Sequence, residues 1–111
     1  MNKLIVTFLA LMATVTGVAL AADATAGKAI FEKQGSCINC HGKDGATPNE
    51  ALGKMLQVTI PTLADAQFQA SKTDDDIKTA ITKGKGKMPA QKNVPADQVD
   101  NVVAYVRSLK K

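Results

Sequence analysis

Towards the end of the chain Val99, Val102, Val103 and Val106 fall at i, i+3, i+4 and i+7. That spacing puts four apolar side chains on one face of an α-helix. It predicts a helix over residues 95–109, with Pro95 in the first turn and Arg107, Lys110 and Lys111 at the negative end of the helix dipole. A second helix is predicted over residues 23–34, capped by Asp23 and ended by Gly35. Its Gly27 and Phe31 stand four apart and share a face. The glycine either admits a second helix closely or is tolerated on an ordinary surface helix, at a cost of roughly 1 kcal/mol. Thr73, followed by Asp74, Asp75 and Asp76, starts a third helix: the threonine caps, Asp76 takes the reciprocal position, and the acidic run suits the positive end of the dipole. Ile77, Ala80 and Ile81 line its apolar face and Gly84 ends it.

The middle of the chain is less regular. Residues 42–48 are dense in turn formers and read as a loop. Residues 50–56 read as a short helix, and 58–61 as extended, because the residue before a proline avoids the helical region. A further short helix starts at Thr62 or Asp65 and runs through Phe68, and residues 83–89 form a second loop, rich in glycine. No strand pair, repeat or linker is visible, so the pattern predicts a single all-α domain.

Residues 1–21 stand apart from this pattern. Lys3 precedes an apolar run over residues 4–15 that only Thr7 and Thr14 interrupt, and Ala19-Leu20-Ala21 places small residues where a signal peptidase reads. This predicts a signal peptide cleaved after Ala21 or Ala22, and an exported, periplasmic domain of residues 22–111. An uncleaved anchor is the alternative, since the run is long enough to span, but the threonines and Gly17 dilute it and no basic stop follows. With the signal removed, no membrane span remains. The domain left has no tryptophan and only Phe31, Phe68 and Tyr105 as aromatic residues, too little for a self-sufficient core at this length. The formal charge is +4, from 14 basic and 10 acidic residues, one fewer basic once Lys3 goes. The excess is modest and no helix carries a basic stripe with interleaved aromatics, which argues against nucleic acid as a partner.

The chemistry is concentrated in Cys37-Ile38-Asn39-Cys40-His41, which holds both cysteines and the sole histidine. C-x-x-C-H is the attachment signature for covalent haem. On one turn of helix the three side chains share a face, so two thiols close on the haem vinyl groups as thioethers while the imidazole ligates the iron. A disulfide would close a loop too small to tie down much chain. A thioredoxin-like pair needs a βαβ setting, and a structural zinc site needs a fourth ligand. A haem also supplies the apolar body that the weak core lacks.

His41 being alone, a two-histidine haem is excluded within one chain. The domain keeps two methionines, Met55 and Met88. Met88 lies in the glycine-rich loop before Pro89, where a thioether can be laid across the other face of the iron; Met55, beside Leu52 and Leu56 in a short helix, suits core packing or cover for a haem edge. His/Met ligation of this kind suits soluble electron carriers. Lys83, Lys85, Lys87 and Lys92 flank Met88 and either steer an acidic partner or are simply solvated.

These residues, from Gly27 and Phe31 through Cys37-Ile38-Asn39-Cys40-His41 to Lys87-Met88-Pro89 and Tyr105, resemble the class I c-type cytochromes, in particular the small bacterial single-haem carriers. The resemblance implies the small cytochrome c fold, with first and last helices crossing near a right angle so that Gly27 and Phe31 meet Val102 and Tyr105. It implies one haem c per chain, thioethers at Cys37 and Cys40, and axial ligands His41 and Met88. It further implies a proline whose carbonyl orients the histidine, for which Pro48 and Pro61 both qualify. The family often opens its last helix with Ser or Thr, whereas Pro95 stands here. The function implied is a monomeric one-electron carrier between redox proteins, not an enzyme. A peroxidase or gas-binding protein needs an open iron position, and a second histidine or distal acid for peroxide chemistry is not evident.

The weak core predicts that the chain is largely unfolded until haem is attached. Polypeptide made without haem attachment should give a disordered far-ultraviolet circular dichroism spectrum and the matured protein a helical one. A native-like helical spectrum from the unpigmented chain would contradict this.

Overall fold

Asp23 begins the first helix by accepting the Thr25 and Ala26 amides at its carboxylate, 2.9 and 3.2 Å away. In the computed structural model, which describes residues 22–34 and 37–111, this helix is α1 (Ala24–Lys33). The leader assigned to residues 1–21 and the stop assigned to Gly35 lie outside the described residues. α2 (Cys37–His41) follows at once. Asn49 caps α3 (Glu50–Leu56) through the Leu52 amide, and Asp65 caps α4 (Ala66–Ser71) through the Gln67 amide. Of the two starts open to α4, the structure therefore uses Asp65, and the helix continues past Phe68 to Ser71.

α5 (Asp74–Lys83) carries the full reciprocal cap expected at its start. Thr73 Oγ1 accepts the Asp76 amide at 3.0 Å and Asp76 Oδ2 accepts the Thr73 amide at 2.9 Å. The Thr73 amide first, and then the Thr73 side chain, hold the Asp76 carboxyl below its usual range. The final helix departs from expectation. A 3₁₀ turn, Ala96–Gln98, precedes α6 (Val99–Ser108), and neither element has a side-chain cap. Pro95 offers no capping oxygen, so the Gln98 amide bonds the Pro95 carbonyl at 2.9 Å in the tighter i→i+3 pattern. No strand occurs among the described residues; an isolated antiparallel bridge joins Lys85 and Met88.

α1 and α6 cross in contact, and Gly27 makes the contact possible. A Cβ at that position would lie 1.9 Å from the Asn101 carbonyl oxygen and 2.9 Å from the Val102 nitrogen. The open alternative for Gly27 is thereby decided in favour of close approach. One turn on, the edge of Phe31 meets Tyr105, with ring centroids 5.1 Å apart and planes at 66°. Phe31 and Val102 are both 1% exposed. Asn101 adds a tie that the periodicity does not reveal, accepting the Asp23 amide at 2.8 Å. Around this crossing the core is built from Ile30, Ile77, Ile81, Val99, Val103 and Val106.

A polar joint fastens the α4–α5 corner to α6. Gln69 is buried, and its Nε2 donates to the Leu63 and Val106 carbonyls, both at 2.8 Å. Arg107 donates to the Gln69 and Lys72 carbonyls and to the Asp74 carboxylate. Its work is therefore a bridge between elements more than compensation of its own helix dipole.

Gly27→Val places two methyls and a methine where the Asn101 backbone stands. Overpacking costs about 1–3 kcal/mol or more. In a domain of this size the thermal midpoint should then fall by roughly 10 °C, as followed by circular dichroism of the pigmented protein. An unchanged midpoint would show that the two helix backbones are not in contact.

Candidate haem site

The α2 turn is too short to bury much by itself, and its value lies in presentation. Cys37, Cys40 and His41 all line one cavity of about 470 Å³, as their spacing on a single helical face requires. Met88 lines the same cavity. It is placed there by a tight turn at Gly86 and Lys87, in which Lys85 and Met88 exchange reciprocal backbone bonds of 2.9 Å. Gly86 supplies the left-handed φ of +57° that the turn needs. Most of the remaining lining is apolar, including Phe31, Ile60, Leu63, Phe68, Ile81 and Val102.

The imidazole is held from behind. His41 Nδ1 lies 3.4 Å from the Pro61 carbonyl oxygen, which chooses Pro61 over Pro48. With Nδ1 donating there, Nε2 keeps its lone pair for a metal. Burial, the leading cause, pushes the His41 pKa down, and the Pro61 contact opposes it in part, so the ring favours the neutral, ligating form. Local turns bring the proline into place. The Gly45 carbonyl accepts the Leu63 and Ala64 amides, and the Asn49 amide bonds the Cys40 carbonyl at 2.8 Å, folding both flanks of the loop back onto α2.

Comparison with known proteins shows the family. Residues 22–106 match the family model for cytochrome c oxidase, cbb3-type, subunit III. The chain is 38% identical over 106 residues to cytochrome c6 of Rippkaea orientalis, covering 93% of this chain and 84% of that protein. Among solved structures it is similar to the KustC0563 c-type cytochrome, with a TM-score of 0.61 and 32% identity over 77% of this chain and 98% of that one. It is also similar to cytochrome c6 of the diatom Phaeodactylum tricornutum, with a TM-score of 0.50 and 30% identity over 78% and 93% of the two chains. This chain belongs to the c-type cytochromes.

The cytochrome's cavity fits a haem on its own terms. Its volume lies within the roughly 300–1,000 Å³ of pockets for cofactor-sized ligands. Two thiols, an imidazole and a thioether all line it, and the rest is chiefly hydrocarbon. The alternatives meet obstacles. Among the described residues, no group of three or more His, Cys, Asp or Glu side chains could hold a bare ion. Burial first, and the neighbouring Cys40, push the Cys37 thiol up, with a backbone hydrogen bond opposing, whereas a thiol oxidoreductase needs a lowered one. Cys37 and Cys40 are both free and not joined to each other.

Several placements are not legible in the sequence. Lys72 and Asp76, from the α4–α5 corner, line the cavity along with Lys85 and Lys87. Lys83 and Lys92 are exposed but do not line it. Met55 is 73% exposed and lines no part of the cavity, so the core or haem-cover role expected of it does not hold. The local pattern marks Asp76 only as a cap, and no periodicity marks Lys72.

Gly53 lets α3 approach the segment that delivers Pro61; a Cβ there would lie 2.9 Å from the Val58 carbonyl oxygen and 3.7 Å from Ile60. Gly53→Val should displace residues 58–61, weaken the His41–Pro61 hydrogen bond and cost about 1–3 kcal/mol of stability. A shifted imidazole N–H resonance with a lower thermal midpoint is the expected pair of results. An unmoved resonance would show that α3 does not position Pro61.

Proposed function

We propose that this c-type cytochrome carries a single haem c, sewn to Cys37 and Cys40, with His41 and Met88 as axial ligands of the iron, and that it works as an exported one-electron carrier. The observation that supports this reading most directly is that these four side chains line one largely apolar cavity. Bound there, the haem supplies a ferric/ferrous couple. The protein's own residues set its surroundings. Pro61 fixes the orientation of the imidazole and makes it a better donor. The turn at Gly86 and Lys87 fixes the thioether, and a thioether on one side raises the potential relative to two imidazoles. The apolar lining keeps water from the metal and lowers the local dielectric. With both axial positions taken by side chains, no position is left for substrate, which suits electron transfer over catalysis.

Export rests on the leader at residues 1–21 and fits a periplasmic setting. Among the described residues no helix is long and apolar enough to cross a membrane. The partners are redox proteins, one giving and one taking the electron, met by the cytochrome as a monomer. Exposed Lys83, Lys85, Lys87 and Lys92 favour an acidic docking surface on at least one of them.

The test is Met88→Ala in protein matured with its haem. The pigment should stay with the polypeptide in acid acetone, the weak red-end band of the ferric protein should vanish, the ferric iron should become high-spin and the reduction potential should fall. A ferric spectrum indistinguishable from the parent's would remove Met88 from the metal. Pigment that washes free of the chain would remove the thioethers at Cys37 and Cys40.

A further inference from the structure

Among the described residues two polar side chains are buried, His41 and Gln69. His41 lines the cavity and Gln69 does not. A buried amide is costly unless its groups are bonded, so the bonds of Gln69 show what it is there to hold. Its Nε2 donates to the Leu63 carbonyl and to the Val106 carbonyl of α6, both at 2.8 Å. Arg107 Nη1 donates to its Oε1 at 3.1 Å. A guanidinium only donates, so this contact turns Oε1 towards Arg107 and leaves Nε2 for the two carbonyls. Arg107 is steadied in turn by the Asp74 carboxylate, 2.6 Å from its Nε.

Leu63 stands two residues after Pro61, and both line the cavity. Its amide donates to the Gly45 carbonyl at 2.9 Å, and its carbonyl accepts from Gln69. The Asp65 amide bonds the Thr62 carbonyl at 3.1 Å, closing a turn over the same residues. Leu63 is therefore bonded at both its backbone groups, on one side to the loop that folds over α2 and on the other, through Gln69, to α6. Little freedom is left to the Pro61 carbonyl. That matters because His41 Nδ1 lies 3.4 Å from it, at the long end of the hydrogen-bonding range, where a small shift decides whether the bond is made.

We propose that Gln69 is a positioning residue for the imidazole ligand: by clipping Leu63 to α6 it holds the Pro61 carbonyl against His41 Nδ1. The inference rests on the ligation proposed above for His41 and deepens it. A firm bond at Nδ1 makes the imidazole a better donor, which favours ferric iron. Without the Gln69 clip the bond loosens, the imidazole donates less and the reduction potential rises. Arg107 enters one step further back, as the group that fixes which end of the Gln69 amide faces the two carbonyls.

The experiment uses the matured protein with its haem. In the unmutated protein the two Gln69 side-chain N–H protons should exchange slowly with solvent, as buried and bonded donors do. Gln69→Met keeps the length and removes the amide; Gln69→Glu keeps the shape and replaces the donating nitrogen. Each should move the His41 Nδ1–H resonance of the ferrous protein upfield and raise the reduction potential. The weak red-end band of the ferric protein should remain, because Met88 is not on this loop. Arg107→Met should act in the same direction to a smaller degree, and it stands in if neither Gln69 variant folds. Asn101→Ala, which cuts the tie to the Asp23 amide, should lower the thermal midpoint and leave the resonance in place. A His41 resonance that stays put in the folded Gln69 variants, or in Arg107→Met if neither folds, would overturn the proposal. So would a potential that falls, which would mean that water had reached the site, or fast exchange of the Gln69 protons in the unmutated protein. It would fall too if Asn101→Ala moved the resonance as far as Gln69→Met does, since the shift would then report general loosening. Failure of the underlying ligation is read separately, in the unmutated chain, as loss of covalently held pigment or of the low-spin spectrum.

Discussion

The contact between the backbones of α1 and α6 at Gly27 is the constraint on which the other positions depend. The Asn101 carbonyl occupies the space where any side chain at residue 27 would stand. Because the two helices touch there, Phe31 arrives one turn later against Tyr105 and Val102, and at the edge of the cavity. α2 follows α1 closely in the chain, so the depth at which α1 is set also sets the depth of Cys37, Cys40 and His41. A wider crossing would carry the thiols and the imidazole away from the α5 and α6 side chains that complete the cavity.

Around that crossing, the loops do the chemical positioning. One loop returns over α2 through Gly45 and Asn49 and delivers the Pro61 carbonyl to His41. Another turns at Gly86 and presents Met88. Neither loop has a core of its own. Each is held by a few backbone bonds and by the apolar surface it helps to enclose, which is why a cofactor-sized apolar body and the fold support one another.

The charge distribution follows the same division. The lining is mostly hydrocarbon, and among the described residues its charges come from Lys72, Asp76, Lys85 and Lys87. Gln69 and Arg107 tie the α4–α5 corner to the last helix through carbonyls and one carboxylate, so that corner is anchored to the most regular part of the fold. Polar groups are buried here only where their bonds are made; no buried side-chain nitrogen or oxygen among the described residues lacks a partner.

Short-range signals carried much of this protein. The valines of α6, the caps at Asp23 and Thr73 and the C-x-x-C-H turn were readable because each acts over a few residues, through helical periodicity or a bond to a nearby amide. The motif alone pointed to the α2 side chains that line the cavity. What only the tertiary structure decided were matters of long-range meeting. Pro61 and not Pro48 backs His41, Met55 turns to solvent, Gly27 serves a crossing, and Lys72 and Asp76 join Lys85 at the cavity. The reason is physical: such contacts join residues tens of positions apart, and which of several chemically suitable residues meets the site depends on how the helices pack, a quantity with no period along the chain.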